Sequence, residues 1–110
     1  MGKLVRDRIP EIIRSEGGSA HTRTLEEGAY RAALLDKLLE ETDELREAPP
    51  DAAIDEAADV YEVLLALVAY EGWTMDQVAR RAAAKRAERG GFDARLFLES
   101  FASADFEESS

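Results

Sequence analysis

The chemistry this chain can offer sits in two short acidic stretches. The first, Lys37 to Leu45 (KLLEETDEL), crowds Lys37, Glu40, Glu41 and Glu44 into about two turns of helix. The second, Asp55 to Tyr70 (DEAADVYEVLLALVAY), is apolar on nearly every side from Val60 onward, yet it carries Glu56 and Asp59. On a wheel turning about 100° per residue, Val63 falls between those two acids, and Leu67 and Tyr70 continue the same face. Glu56 and Asp59 are therefore expected to point inward, and Asp55 and Glu62 outward. Inward carboxylates are costly unless something pairs them. Four such groups about 6 Å apart repel by about 3 kcal/mol per pair at an effective dielectric near 20. The cluster must take up either protons or cations. All-oxygen ligation suits Mg²⁺, with Mn²⁺ as a substitute, and leaves positions for water and substrate phosphates.

The helices that must position these acids are marked by their breakers. Pro10 suits the first turn of a short helix with Ile9, Ile12 and Ile13 on one side, ended by Gly17-Gly18. Thr24 with Glu27 reads as a capping box that opens a long helix to about Ala48. Leu34, Leu35, Leu38, Leu39 and Leu45 form its core stripe, and Pro49-Pro50 stops it. With Leu34 at zero the stripe centres near about 60°, and Glu41, Glu44 and Glu40 fall near about 340°, 280° and 240°. Glu41 should border the stripe, Glu44 lie next to it, and Glu40 stand further out.

Asp51 is the expected N-cap of the second long helix, and Gly72 its stop. The short loop between the two long helices makes them an antiparallel hairpin, which brings KLLEETDEL beside Glu56 and Asp59. Thr74 with Gln77 is a second capping box, opening a helix to about Arg89 with Val78, Ala82 and Ala83 inward; Gly90-Gly91 ends it. Phe92 to Phe101 is apolar enough to dock on the body, and the acidic tail from Ser103 is expected to be disordered. No period-two alternation marks a strand. The expectation is an all-α fold, one domain over 1–102 with a disordered tail over 103–110.

Composition narrows the function classes. The chain has 110 residues, 45% of them apolar and 35% charged, with a formal net charge of -10. That acidity argues against a bare nucleic-acid or membrane-surface binder, whose partners are themselves negative. A phosphate substrate stays compatible when divalent cations stand between it and the protein. There is no cysteine, hence no disulfide or thiol chemistry. No signal-like opening and no spanning apolar run are seen, so the expected location is cytoplasmic. A helix apolar all round in so small a domain implies a partner subunit. The expected architecture is a helical hairpin-based bundle completed by oligomerisation, a homodimer at least.

Three motifs in order then become specific. Glu40-Glu41-Thr42-Asp43-Glu44 followed by Glu56-Ala57-Ala58-Asp59 resembles the EExxE…ExxD signature of the MazG-like all-α NTP pyrophosphohydrolases. Lys3-Leu4-Val5-Arg6-Asp7-Arg8-Ile9-Pro10 resembles the KLVRDKIP opening of a small single-domain, house-cleaning branch of that superfamily. Lys85-Arg86-Ala87-Glu88-Arg89-Gly90-Gly91-Phe92 resembles its K-R-x-x-x-G-G-F close. The resemblance covers residues 3 to 98, with a gap between the acidic motifs at the short end of the family's range.

What the resemblance implies is hydrolysis of a nucleoside triphosphate between its α and β phosphates, giving monophosphate and pyrophosphate. By position, Glu41, Glu44, Glu56 and Asp59 match the metal ligands, and Glu40 is the candidate for orienting or deprotonating the attacking water. Lys85, Arg86 and Arg89 would supply cations for the β and γ phosphates. Lys37 would do so too, or would pair with Glu41 one turn away. Lys3, Arg6 and Asp7 would close over the nucleotide; for Arg8 and Arg14 a basic arm pairing with the acidic body is an equal reading.

Single residues carry less. Trp73 reads as packing before base stacking, Tyr61 and Tyr70 read as packing, and the lone His21 has no partners at ligand spacing. Two rival functions stand beside the hydrolase. One is a phosphoribosyl-ATP pyrophosphohydrolase, with the same fold and acidic motifs; the other is a non-catalytic helical module whose acidic face binds a basic partner.

Overall fold

The computed structural model describes residues 2–102, so the acidic tail from Ser103 lies outside the described residues. Those residues form four helices and no strand: α1 (Ile9–Ser15), α2 (Glu27–Glu47), α3 (Ala53–Tyr70) and α4 (Met75–Arg89). Residues up to Val78 form one compact unit and residues from Ala79 a second. No helix among the described residues is long and apolar enough to cross a membrane.

The breakers act where the sequence puts them. Pro10 sits in the first turn of α1. That helix closes with Gly18 N–H donating to the Ile13 carbonyl (3.0 Å) and Gly17 N–H to the Arg14 carbonyl (3.1 Å). Gly17 takes a φ of 91°, a conformation that asks for glycine. The same pattern ends α3, where Trp73 N–H reaches the Val68 carbonyl (3.0 Å) and Gly72 N–H the Ala69 carbonyl (3.1 Å). The second capping box forms in full: Thr74 N–H donates to Gln77 Oε1 (2.8 Å) and Gln77 N–H to Thr74 Oγ1 (3.1 Å).

The first expected box does not form. The N-cap of α2 is Glu26, in extended backbone and with no side-chain cap, so Thr24 lies two residues too early. Asp51 likewise does not cap α3; Ala52 holds that place. Pro49-Pro50 leads into a turn in which Ala52 N–H donates to the Pro49 carbonyl (2.9 Å). The turn consumes Asp51 before the helix begins.

α2 and α3 are the two helices that pack on each other. They run antiparallel: at one end Tyr30 meets Tyr70 edge to face (centroids 5.8 Å, 69°) and Arg31 Nε meets Glu71 (3.0 Å). At the other end Glu41 meets Glu56 and Asp59. Leu34 at 2% exposure and Val68 are the buried apolar side chains among the described residues, so the core is thin.

Several expectations of burial are corrected. Leu39 is 66% exposed, because the face toward α3 is too narrow to include it. Within the single chain α3 is not covered on all sides; Ile54 and Tyr61 stay exposed. On α4, Val78 is half-buried but Ala82 and Ala83 are exposed. Phe92 to Phe101 does not bury its apolar side chains: Leu96 and Phe97 are 91% and 87% exposed, and no helix forms there to gather them on one face.

Leu34→Ala should lower unfolding free energy in urea by about 3 kcal/mol through the cavity it leaves. Gly72→Ala, which meets open space at a φ of 83°, should cost about 1 kcal/mol from backbone strain alone. A neutral Leu34→Ala would show that the hairpin interface is not the core.

Candidate metal centre and adjoining cleft

The hairpin brings three acids from two helices to one point. Glu41 of α2 and Glu56 and Asp59 of α3 each offer a carboxylate oxygen, all within 4.8 Å of one another. Glu41 is buried at 5% exposure, and Glu56 and Asp59 are half-buried. Asp55 and Glu62 are exposed, as the helical wheel requires, though Glu62 also lines the cleft beside the cluster. Glu41 Oε2 and Glu56 Oε2 are shut away from solvent with no hydrogen-bond partner among the described residues. Orphaned carboxylate oxygens in an interior are unfavourable until something neutralises them. Oxygens about 2.0–2.6 Å from a hard divalent cation stand roughly 3 to 5 Å from one another. The donor set and its spacing therefore fit Mg²⁺ or Mn²⁺.

Glu44, the fourth expected ligand, is exposed and lies outside the group of three, though it is near enough to raise the Glu41 carboxyl. Glu40 is the more covered of the two, which reverses the order expected from the wheel. The reason is local: Lys3 Nζ approaches Glu40 Oε1 (3.5 Å) and Lys37 Nζ approaches Glu40 Oε2 (3.4 Å), so two amines and their stems cover that flank.

Cations of the chain itself partly neutralise the acids. Lys37, nearly buried, also pairs with Glu41 Oε1 at 3.3 Å, one turn away on the same helix. Arg6 donates to Asp59 Oδ1 at 2.7 Å. The opening segment is thus a basic arm laid against the acidic body. Arg8 and Arg14 play no part in this, since Arg8 pairs with Glu11 and Arg14 donates to the Ala20 carbonyl. Burial pushes the Glu41 carboxyl above its ordinary value of 4.5, and the neighbouring Glu44 carboxyl pushes it the same way, against the pull of Lys37.

Beside the cluster lies a cleft of about 460 Å³, walled by the arm, α2 and α3. Lys3, Arg6, Asp7, Lys37, Glu41 and Asp59, all singled out by the sequence, line it. Glu40 and Glu56 stand next to this lining through their contacts with Lys37 and with Glu41 and Asp59. Lys85, half-buried, and Arg86 and Arg89, exposed, lie on the last turns of α4 in the second unit. His21 and Trp73 are exposed and do not line the cleft. Sequence reasoning passed over Tyr30, which does line it. The signal was present: Tyr30, Leu34, Lys37 and Glu41 follow one another at helical spacing along a single face.

No family model matches the chain. No solved structure matches it either. A stretch of 56 residues, 50% of the chain, is 54% identical to an uncharacterized protein of Mycolicibacterium smegmatis. The match takes in 57% of that relative's length.

The raised Glu41 carboxyl has a signed consequence for the metal-free protein. Above pH 4.5 the unfolded chain gives up this proton first, so stability falls as pH rises until the folded-state carboxyl has also ionised. Glu41→Gln removes that loss. The melting temperature of the variant relative to the parent, in chelator, should climb as pH is raised from 4.5 and then level off; a difference that is flat with pH would show that Glu41 carries no such strain.

Proposed function

We propose that the chain is a Mg²⁺-dependent nucleoside triphosphate pyrophosphohydrolase of the MazG-like all-α type that its three motifs resemble. It adds water across the anhydride between the α and β phosphates, leaving a nucleoside monophosphate and pyrophosphate. The opening motif favours a house-cleaning role on non-canonical triphosphates over phosphoribosyl-ATP hydrolysis. The observation that supports this reading best is the convergence of Glu41, Glu56 and Asp59, two of them with buried oxygens that have no hydrogen-bond partner among the described residues.

In this reading Glu41, Glu56 and Asp59 would hold the cation, and Glu44 stands at the rim. A bound divalent cation supplies charge neutralisation and Lewis acidity at the phosphates. Glu40, held between Lys3 and Lys37, orients the water or takes its proton. Lys3, Arg6 and Lys37 are the cations facing the cleft. They exchange carboxylate partners for phosphate oxygens when substrate binds, and such a displacement asks mainly for positioning and charge stabilisation. Asp7 lies on the same wall. Exposed Ile54 and Tyr61 on α3 favour a homodimer that completes the bundle. A second reading, an acidic face that takes up a basic segment of a partner, draws on the way Arg6 occupies Asp59.

Incubated with Mg²⁺ and a panel of canonical, deoxy and modified triphosphates, the protein should release pyrophosphate; orthophosphate as sole product would sink the proposed cleavage. Glu41→Gln and Asp59→Asn should reduce turnover to background while leaving the protein folded. Mg²⁺ alone should stabilise the parent by about 1.4 kcal/mol at ten times its dissociation constant, and neither variant should respond. A basic-partner module would show no Mg²⁺ response in any of the three. Size-exclusion chromatography at micromolar concentration should give a dimer, and a monomer would rule out the shared bundle.

A further inference from the structure

The cleft has a direction. Tyr30, Leu34, Lys37 and Glu41 recur every three or four residues on α2 and share one face. On α3 Asp59, Val63, Ala66 and Tyr70 repeat the same spacing in the opposite sense. From Glu41 back to Tyr30 the helix rises about 16 Å. Along that length the chemistry changes. The acids stand at one end, Lys37 comes next, and Leu34, Val63 and Ala66 make the walls beyond it. Tyr30 closes the far end, its ring held by the edge-to-face contact with Tyr70. Glu62 lines the α3 side but is exposed.

We infer that the apolar half of this cleft holds the base of a nucleotide, with Tyr30 as the residue that packs a ring against it and Ala66 as the residue that leaves it room. The inference rests on the hydrolase reading for the identity of the ligand as a nucleotide. Its own support is continuity and complementarity. A cation at Glu41 and the amine of Lys37 fix where phosphates lie, so the nucleoside must extend toward Leu34 and Tyr30 or leave the cleft. The volume of about 460 Å³ falls in the range of ligand pockets, roughly 300 to 1,000 Å³. Leu34 is buried, so that wall is fixed and apolar. The Tyr30 hydroxyl is the one uncharged polar side-chain group among the lining residues. Leu34, Val63 and Ala66 offer a base edge no hydrogen-bonding side chain, so along those walls the base is read by shape and stacking. This fits a site that accepts a class of triphosphates and not one of them.

The test separates base from phosphate. Calorimetry with Mg²⁺ would compare α,β-methylene analogues of a purine and a pyrimidine nucleoside triphosphate with inorganic triphosphate. The parent should bind both nucleotides more tightly than inorganic triphosphate. Tyr30→Leu should weaken both nucleotides by about tenfold and leave inorganic triphosphate unaffected, while Tyr30→Phe, which keeps the ring, restores the nucleotide affinity. Ala66→Leu should weaken the purine analogue more than the pyrimidine. The inference is overturned if the parent binds nucleotide and inorganic triphosphate alike, if it binds neither, or if Tyr30→Leu lowers both equally. Tight nucleotide binding that depends on Tyr30, with no pyrophosphate released from hydrolysable triphosphates, would sustain the base pocket and remove the hydrolase reading.

Discussion

A carboxylate carried into the seam between two helices governs the rest of this molecule. Glu41 is more buried than most of the leucines around it, and it faces Glu56 and Asp59 across the hairpin. Burying an ion costs several kcal/mol even after relaxation, and like charges nearby add to that. Lys37, one turn back on the same helix, returns part of it. What is left is a standing demand for positive charge at one spot. The tight loop around Pro49-Pro50 prevents the helices from relieving that demand by parting, because it fixes the end of α2 against the start of α3.

The N-terminal arm follows from the same demand. A chain of net charge -10 has few cations to spend, and its first unit brings Lys3, Arg6 and Lys37 together beside the acids. Lys3 and Arg6 are partly exposed and therefore weak as stabilising ion pairs in water. Their placement makes better sense as a screen over the cluster than as a staple of the fold. The thin core, with Leu34 and Val68 its buried apolar members, agrees with a structure shaped around a polar site.

The hairpin was legible because its signals are local and strong. Paired prolines, glycines at helix ends and the Thr74–Gln77 box each act within a few residues, and the inward placing of Glu56 and Asp59 needed only the helical period. What was misread depends on neighbours that a wheel does not contain. Glu40 outranks Glu44 in burial because Lys3 arrives from the other end of the chain. Thr24 and Asp51 carry capping chemistry, yet the turns preceding their helices hold them one or two residues away from the caps. Phe92 to Phe101 has the hydrophobicity to dock but no periodicity to aim it, and Arg95 at a φ of 57° breaks whatever local order its neighbours begin. Tyr30 shares a helix face with Leu34, Lys37 and Glu41, but its place on the cleft depends on the arm and α3 that wall it.

The bond from Arg6 to Asp59 would couple the binding of a cation to that of an anion at this spot. An anion that draws the guanidinium away frees a carboxylate oxygen for a cation, and a cation that claims the oxygen frees the guanidinium for an anion. By reciprocity each then raises the affinity of the other by the same factor. Positive cooperativity between opposite charges would arise from one tethered side chain, without any helix having to move.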